Sequence, residues 1–174
     1  PLKTMNLSVL AQSKEKFRSI KFGRGDVQLL FLDSFKFLNK SLEKLIDSQA
    51  KSCKHDLSSG FRNMIMHHPY INRHGSGLAL ARLSELLQKI PFPYSSMRDP
   101  SFFAAPVPVN EEAYFDELRQ KPIKPERLQE LKDIVQSLGI TTGRELHDVY
   151  LYTDVLAMAD VFEGFRDCLL YTSP

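Results

Sequence analysis

The residues from His147 to Arg166, HDVYLYTDVLAMADVFEGFR, run without proline, and without glycine until Gly164. No other segment constrains the fold as strongly, because a run of this kind reads as one long helix. Three aspartates interrupt its apolar pattern. Each helical residue turns the side chain by about 100°. With Asp154 set at zero, Glu145, Asp148, Asp160, Glu163, Arg166 and Asp167 fall within about 60° of the opposite pole and define a solvated face. His147, Tyr150, Leu151, Ala157, Met158, Val161 and Phe165 surround Asp154 on the expected buried face. A carboxylate in the middle of that face costs several kcal/mol if unpaired. It must be ion-paired, protonated or bound to a cation. Tyr150 stands one turn earlier on the same face. A structural ion pair is one reading of Asp154. The other is a metal ligand, with the phenol beside it placing a water for phosphodiester hydrolysis.

Before this helix the chain alternates between clear and irregular segments. Val27–Leu32 (VQLLFL) is a nearly continuous apolar run, bracketed by Gly25-Asp26 and Asp33-Ser34. It reads as a buried strand. A lone strand cannot satisfy its own backbone groups, and residues 1–25 show no clear periodicity that would supply partners. Ser41 offers an N-cap for a helix over 42–50. Residues 51–77 are largely polar, hold four of the five histidines and read as a surface excursion. His67, His68 and His74 have no cysteine partners at zinc-binding spacing. A helix is predicted over 78–89. Five prolines between Ile90 and Val109 require an extended, ordered loop. Asn110 caps a short acidic helix over 111–118. Pro125 opens a helix that ends near Gly139, and Thr142 caps the last one. The fold class is α/β, mainly helical, with one or a few strands near the N-terminus.

Composition narrows function only modestly. With 174 residues, 43% hydrophobic and 25% charged, the chain can form one domain with a real core. A formal net charge of +2 makes no claim about nucleic acid or membrane. Cys53 and Cys168 belong to no metal-binding spacing and read as reduced thiols in a soluble, intracellular protein. No apolar run reaches membrane-spanning length.

Three blocks carry a resemblance. The run LHDVYLYTDVLAMADVFEGFRDCLL resembles the third exonuclease motif of family B DNA polymerases, most of all the protein-primed branch of linear plasmids, viruses and self-synthesising transposons. Upstream, LLFLDSFKFLNKSLEKL resembles that family's strand followed by Asp-Ser and a leucine-rich helix. Between them, QKIPFPYSSM resembles its Lys-x-x-apolar motif followed by Pro-Tyr. The resemblance covers most of the chain from Leu29 onward. It implies an incomplete ribonuclease-H-like 3′-to-5′ exonuclease domain over 1–174, part of a DNA polymerase that acts in DNA replication.

The resemblance also assigns residues. Tyr150 and Asp154 match the motif's tyrosine and aspartate, so Asp154 would hold Mg2+ or Mn2+ and Tyr150 would place the attacking water. Lys89 matches the motif lysine, with Phe92 as its apolar partner, and its ammonium would offset charge developing at the scissile phosphate. The family's strand-binding serine motif fits Ser41 by letters and Ser34 by context. Ser34 is preferred, because capping explains Ser41. Phe35 then stands where a base could stack, or in the core. The implied partners are a single-stranded DNA 3′ end, primer-template DNA and a priming terminal protein. The family's Asp-x-Glu and Asn/Asp motifs have no credible place before Val27, and no polymerase palm follows. The chain is therefore expected to be a domain truncated at both ends and inactive alone. A non-catalytic helical interaction domain and a decayed mobile-element copy are the alternative readings.

Overall fold

The computed structural model describes residues 6–11, 17–24, 26–33, 38–53, 56–73 and 76–172. Ser34 and Phe35 lie outside these described residues. The chain divides into two compact units, residues 1–41 and 42–174. Together they make a mixed α/β protein, mostly helical, with a small antiparallel sheet. No described helix is long and apolar enough to cross a membrane.

The first unit holds three strands, β1 (Asn6–Ala11), β2 (Phe17–Arg24) and β3 (Val27–Leu32), in the order β1-β2-β3. The strand expected at Val27–Leu32 is present. Its partner is β2, which pairs Phe22 with Leu29 and Ile20 with Phe31. The segment before it is thus a source of pairing, contrary to the sequence reading. On its other side β2 pairs Phe22 with Leu7 and Ile20 with Val9. Directly opposed residues share a face. Leu7, Val9, Ile20, Phe22, Leu29 and Phe31 therefore stand together on one face of the sheet. The expectation of a buried strand is also corrected, since Leu29 and Phe31 are more than half exposed.

The second unit is helical: α1 (Leu42–Ser52), α2 (Leu57–Gly60), α3 (Arg62–His67), α4 (Ala79–Leu86), α5 (Pro125–Leu138) and α6 (Gly143–Thr172). Helix α5 starts on Pro125 and stops where Gly139 turns left-handed at φ 62°, a conformation that costs glycine little. Helix α6 starts at a cap, with the Glu145 amide donating to Thr142 Oγ1 at 3.3 Å and Glu145 accepting the Thr141 amide at 2.7 Å. The segment Ile90–Val109 forms no α-helix, as its prolines require, but it is not extended throughout, since Ser96–Arg98 and Pro100–Phe103 are 3-10 turns. Past it, only a 3-10 turn, Glu111–Tyr114, forms where an acidic helix was expected.

Two sequence expectations fail in this unit. The polar stretch 51–77 is not a surface excursion. Phe61, Met64, His68 and Ile71 are fully buried within it, and α3 packs against α6. The buried face of α6 also differs from the one drawn around Asp154. Leu146, Val149, Thr153, Ala157, Asp160 and Val161 are the buried positions, while Leu151 and Val155 are about half exposed. The true face is centred about a quarter-turn from Asp154.

Asp160, assigned to solvent by that wheel, is 3% exposed. Its Oδ1 accepts the Asn63 amide at 2.8 Å and Asn63 Nδ2 at 2.9 Å, and its Oδ2 accepts the Met64 amide at 3.0 Å. Phe61 precedes α3 and offers no side-chain cap. A carboxylate from α6 thus caps another helix, meeting its unpaired amides and the positive end of its dipole. Two turns earlier on the same face, Thr153 Oγ1 lies 3.1 Å from His68 Nε2. Burial lowers the His68 pKa to about 4.

Both contacts are expected to be stability determinants. Asp160→Ala leaves buried donors unpaired and is expected to cost roughly 2–4 kcal/mol in urea unfolding, with Asp160→Asn losing less. The folded protein resists protonating His68, whereas the unfolded chain takes up that proton near pH 6.5. Stability due to neutral His68 is thus complete above that pH. It falls by about 3 kcal/mol as pH drops toward about 4. The wild-type curve between those pH values should be steeper than that of His68→Leu; parallel curves would refute the assignment.

Candidate functional site

Helical spacing places Tyr150 and Asp154 one turn apart on the flank of α6. Both are half-buried, and the Tyr150 hydroxyl is placed to act on the Asp154 carboxyl as a hydrogen-bond donor. A second hydroxyl, that of Tyr94, lies 2.7 Å from the Tyr150 hydroxyl. Tyr150 has one proton to give. If it goes to Asp154, Tyr94 donates to the Tyr150 oxygen, and the three groups form a chain Tyr94→Tyr150→Asp154.

The proline-rich segment builds this chain. Phe92 is 8% exposed and packs on Tyr150 with ring centroids 4.7 Å apart. It also meets Tyr94 at 5.2 Å and Phe102 at 6.4 Å. Farther along, the Gly143 amide donates to the Ala105 carbonyl at 2.9 Å, and the Val107 amide to the Thr141 carbonyl at 3.1 Å. A Cβ on residue 143 would come 2.2 Å from the Phe102 carbonyl oxygen. Only glycine lets the segment approach so closely where α6 begins. Phe92 is therefore a buried support for Tyr150. The resemblance also implied a DNA contact for Phe92, whose ring is 8% exposed.

Electrostatics set Asp154 apart from the buried Asp160. Burial pushes the Asp154 carboxyl above its usual pKa, and the Tyr150 hydrogen bond and the Lys89 charge only partly oppose it. None of the ion pairs among the described residues involves Asp154. Tyr150 is also pushed up, by burial first, then by the Tyr94 hydrogen bond and the Asp154 charge. Lys89 is exposed just past α4, and its carbonyl accepts a hydrogen bond from the Arg127 guanidinium. Tyr150 and Asp154, singled out in sequence, thus stand one turn apart, and the Lys89 charge reaches Asp154. Tyr94 was missed as a site residue. Its only signal was the Pro-Tyr after the lysine motif, which gave no partner for its hydroxyl.

A half-buried carboxylate with incomplete compensation suits one oxygen ligand of a hard divalent cation. Among the described residues no group of three or more His, Cys, Asp or Glu could hold a metal alone. Asp154 could supply one such ligand. No protein-family model, curated protein or solved structure matches the chain.

The two lowering influences on Asp154 can be separated by carboxyl 13C NMR titration of the chain. Tyr150→Phe removes the hydrogen bond and Lys89→Met removes the charge, so each is expected to raise the Asp154 pKa further. An unchanged titration in both variants would mean that neither group acts on the carboxylate.

Proposed function

We propose that Tyr94, Tyr150, Asp154 and Lys89 belong to a metal-dependent 3′-to-5′ exonuclease site of a protein-primed family B DNA polymerase. The observation that carries this reading is Asp154 itself: half-buried, one helical turn from a phenol, under the influence of a lysine and in none of the ion pairs of the described residues. A structural ion pair was the competing account of this carboxylate, and the geometry supports it less well.

The substrate in this reading is the 3′-terminal phosphodiester of a DNA strand. A bound divalent cation would polarise the phosphate and favour a hydroxide-like water. Asp154 would hold the cation. The Tyr150 oxygen, fixed by Tyr94 on one side and by Asp154 on the other, places the water. That water adds to phosphorus as the bond to the neighbouring 3′ oxygen breaks. Lys89 offsets negative charge that grows on the phosphate and on the departing oxygen. Tyr94 acts through Tyr150 and is a positioning residue.

The test is Asp154→Ala in the full-length enzyme. Release of mispaired 3′ nucleotides is expected to fall by about 10²-fold or more, the scale seen when an electrostatic stabiliser is removed. DNA synthesis on a matched primer should persist. Undiminished removal of mispaired ends together with intact synthesis would reject the assignment. Tyr94→Phe is expected to lower kcat with KM little changed, because it loosens the water-placing phenol and leaves the DNA contacts alone.

A further inference from the structure

Glu43, Ile46 and Asp47 share one face of α1, by their spacing of three and four residues. That face lines a cleft of about 360 Å³. Leu87, just past α4, joins Ile46 as an apolar part of the lining, and Lys89 and Arg127 bring positive charge from the end of α4 and the start of α5. The acids and the bases thus enter from different elements. Arg127 is held in place, with one guanidinium nitrogen on the Lys89 carbonyl and another on Glu130. Five N–H donors on that group leave some free for a ligand. Lys89 belongs to two places at once, since it lines the cleft and its charge also acts on Asp154. Lys89 is the residue that the cleft shares with the candidate site.

A cleft near the lower end of the ligand-pocket size range suits a single small molecule better than a length of chain. Its lining asks for three properties in that molecule. A dianionic end matches Lys89 and Arg127. A flat or ring-shaped apolar body matches Ile46 and Leu87. Hydrogen-bond donors on the far side match Glu43 and Asp47. We propose that the cleft is a nucleoside 5′-monophosphate site, with the phosphate at Lys89 and Arg127, and the sugar and base over Ile46 and Leu87. The amino or hydroxyl groups of the nucleoside donate to Glu43 and Asp47. This inference rests on the reading of Asp154 as part of a phosphodiester-hydrolysing site, because a 5′-monophosphate is what that reaction releases beside Lys89. The cleft then takes up the product and slows further cleavage when nucleotide accumulates.

Equilibrium dialysis of the 174-residue chain with dAMP, deoxyadenosine and inorganic phosphate, in chelator without divalent metal, tests this directly. Saturable dAMP binding is expected with Kd on the order of 1 mM. Deoxyadenosine and phosphate, each holding half of the recognition, are expected to bind at least about tenfold more weakly. Arg127→Gln is expected to weaken dAMP about tenfold. Ser84→Trp fills the cleft from an exposed position of α4 and is expected to abolish binding without disturbing the core. Phosphate binding as tightly as dAMP would overturn the nucleoside part of the proposal. Absence of dAMP binding, or binding untouched by both variants, would overturn the site. The two readings fail separately. Exonuclease loss in full-length Asp154→Ala without dAMP binding to the cleft overturns the cleft alone. Intact dAMP binding beside undiminished exonuclease in that variant overturns the Asp154 reading alone.

Discussion

One buried carboxylate sets the geometry of the helical unit. Asp160 is nearly without solvent contact, yet it makes no ion pair among the described residues and accepts three N–H groups at the start of α3. Such a group is tolerated only when its lone pairs are met, so it acts as a directional lock. The lock fixes α6 in rotation as well as in position. The His68–Thr153 contact lies on the same face and repeats the constraint two turns away. Apolar burial alone would tolerate some turning of α6, because alanine, valine and leucine attract without direction. Two polar contacts do not.

The rotation decides what Asp154 can be. Turned a quarter-turn toward the core, it would face apolar side chains and have to find a base or take up a proton. Held where Asp160 holds it, the carboxylate sits on the flank of α6 one turn from Tyr150, which Tyr94 and Phe92 support. Two aspartates six residues apart thus meet opposite fates. Asp160 has its charge met by backbone amides. Asp154 has its charge met only in part, by a phenol and a more distant lysine. That incomplete compensation is the physical basis for reading a cation site there.

Much of the secondary structure was legible. The prolines and glycines that end elements act locally, so Pro125, Gly139 and Thr142 marked real boundaries, and Val27–Leu32 was a real strand. Misreadings arose where the answer lay with a distant partner. Residues 51–77 look polar, but Phe61, Met64 and Ile71 recur often enough to bury one side once α6 is present. The strand β2 was obscured because Arg18, Lys21 and Arg24 break any apolar alternation along its sequence. At the site, Tyr150, Asp154 and Lys89 were visible as residue types at telling positions. Tyr94 was not, because its hydroxyl has meaning only opposite Tyr150, fifty-six residues away.

By itself the sequence determined where the chain turns, caps and stops, and which helix carries an out-of-place carboxylate. Those properties depend on backbone dihedrals, missing N–H groups and side chains within a turn of one another. Only the tertiary structure decided which aspartate of α6 is buried and which is poised at the flank. The reason is that a helical wheel counts apolar residues but cannot see the amides of α3 that make Asp160 welcome inside. The same tertiary contacts brought the Lys89 charge, the Tyr94 hydroxyl and the Phe92 ring to one side of α6.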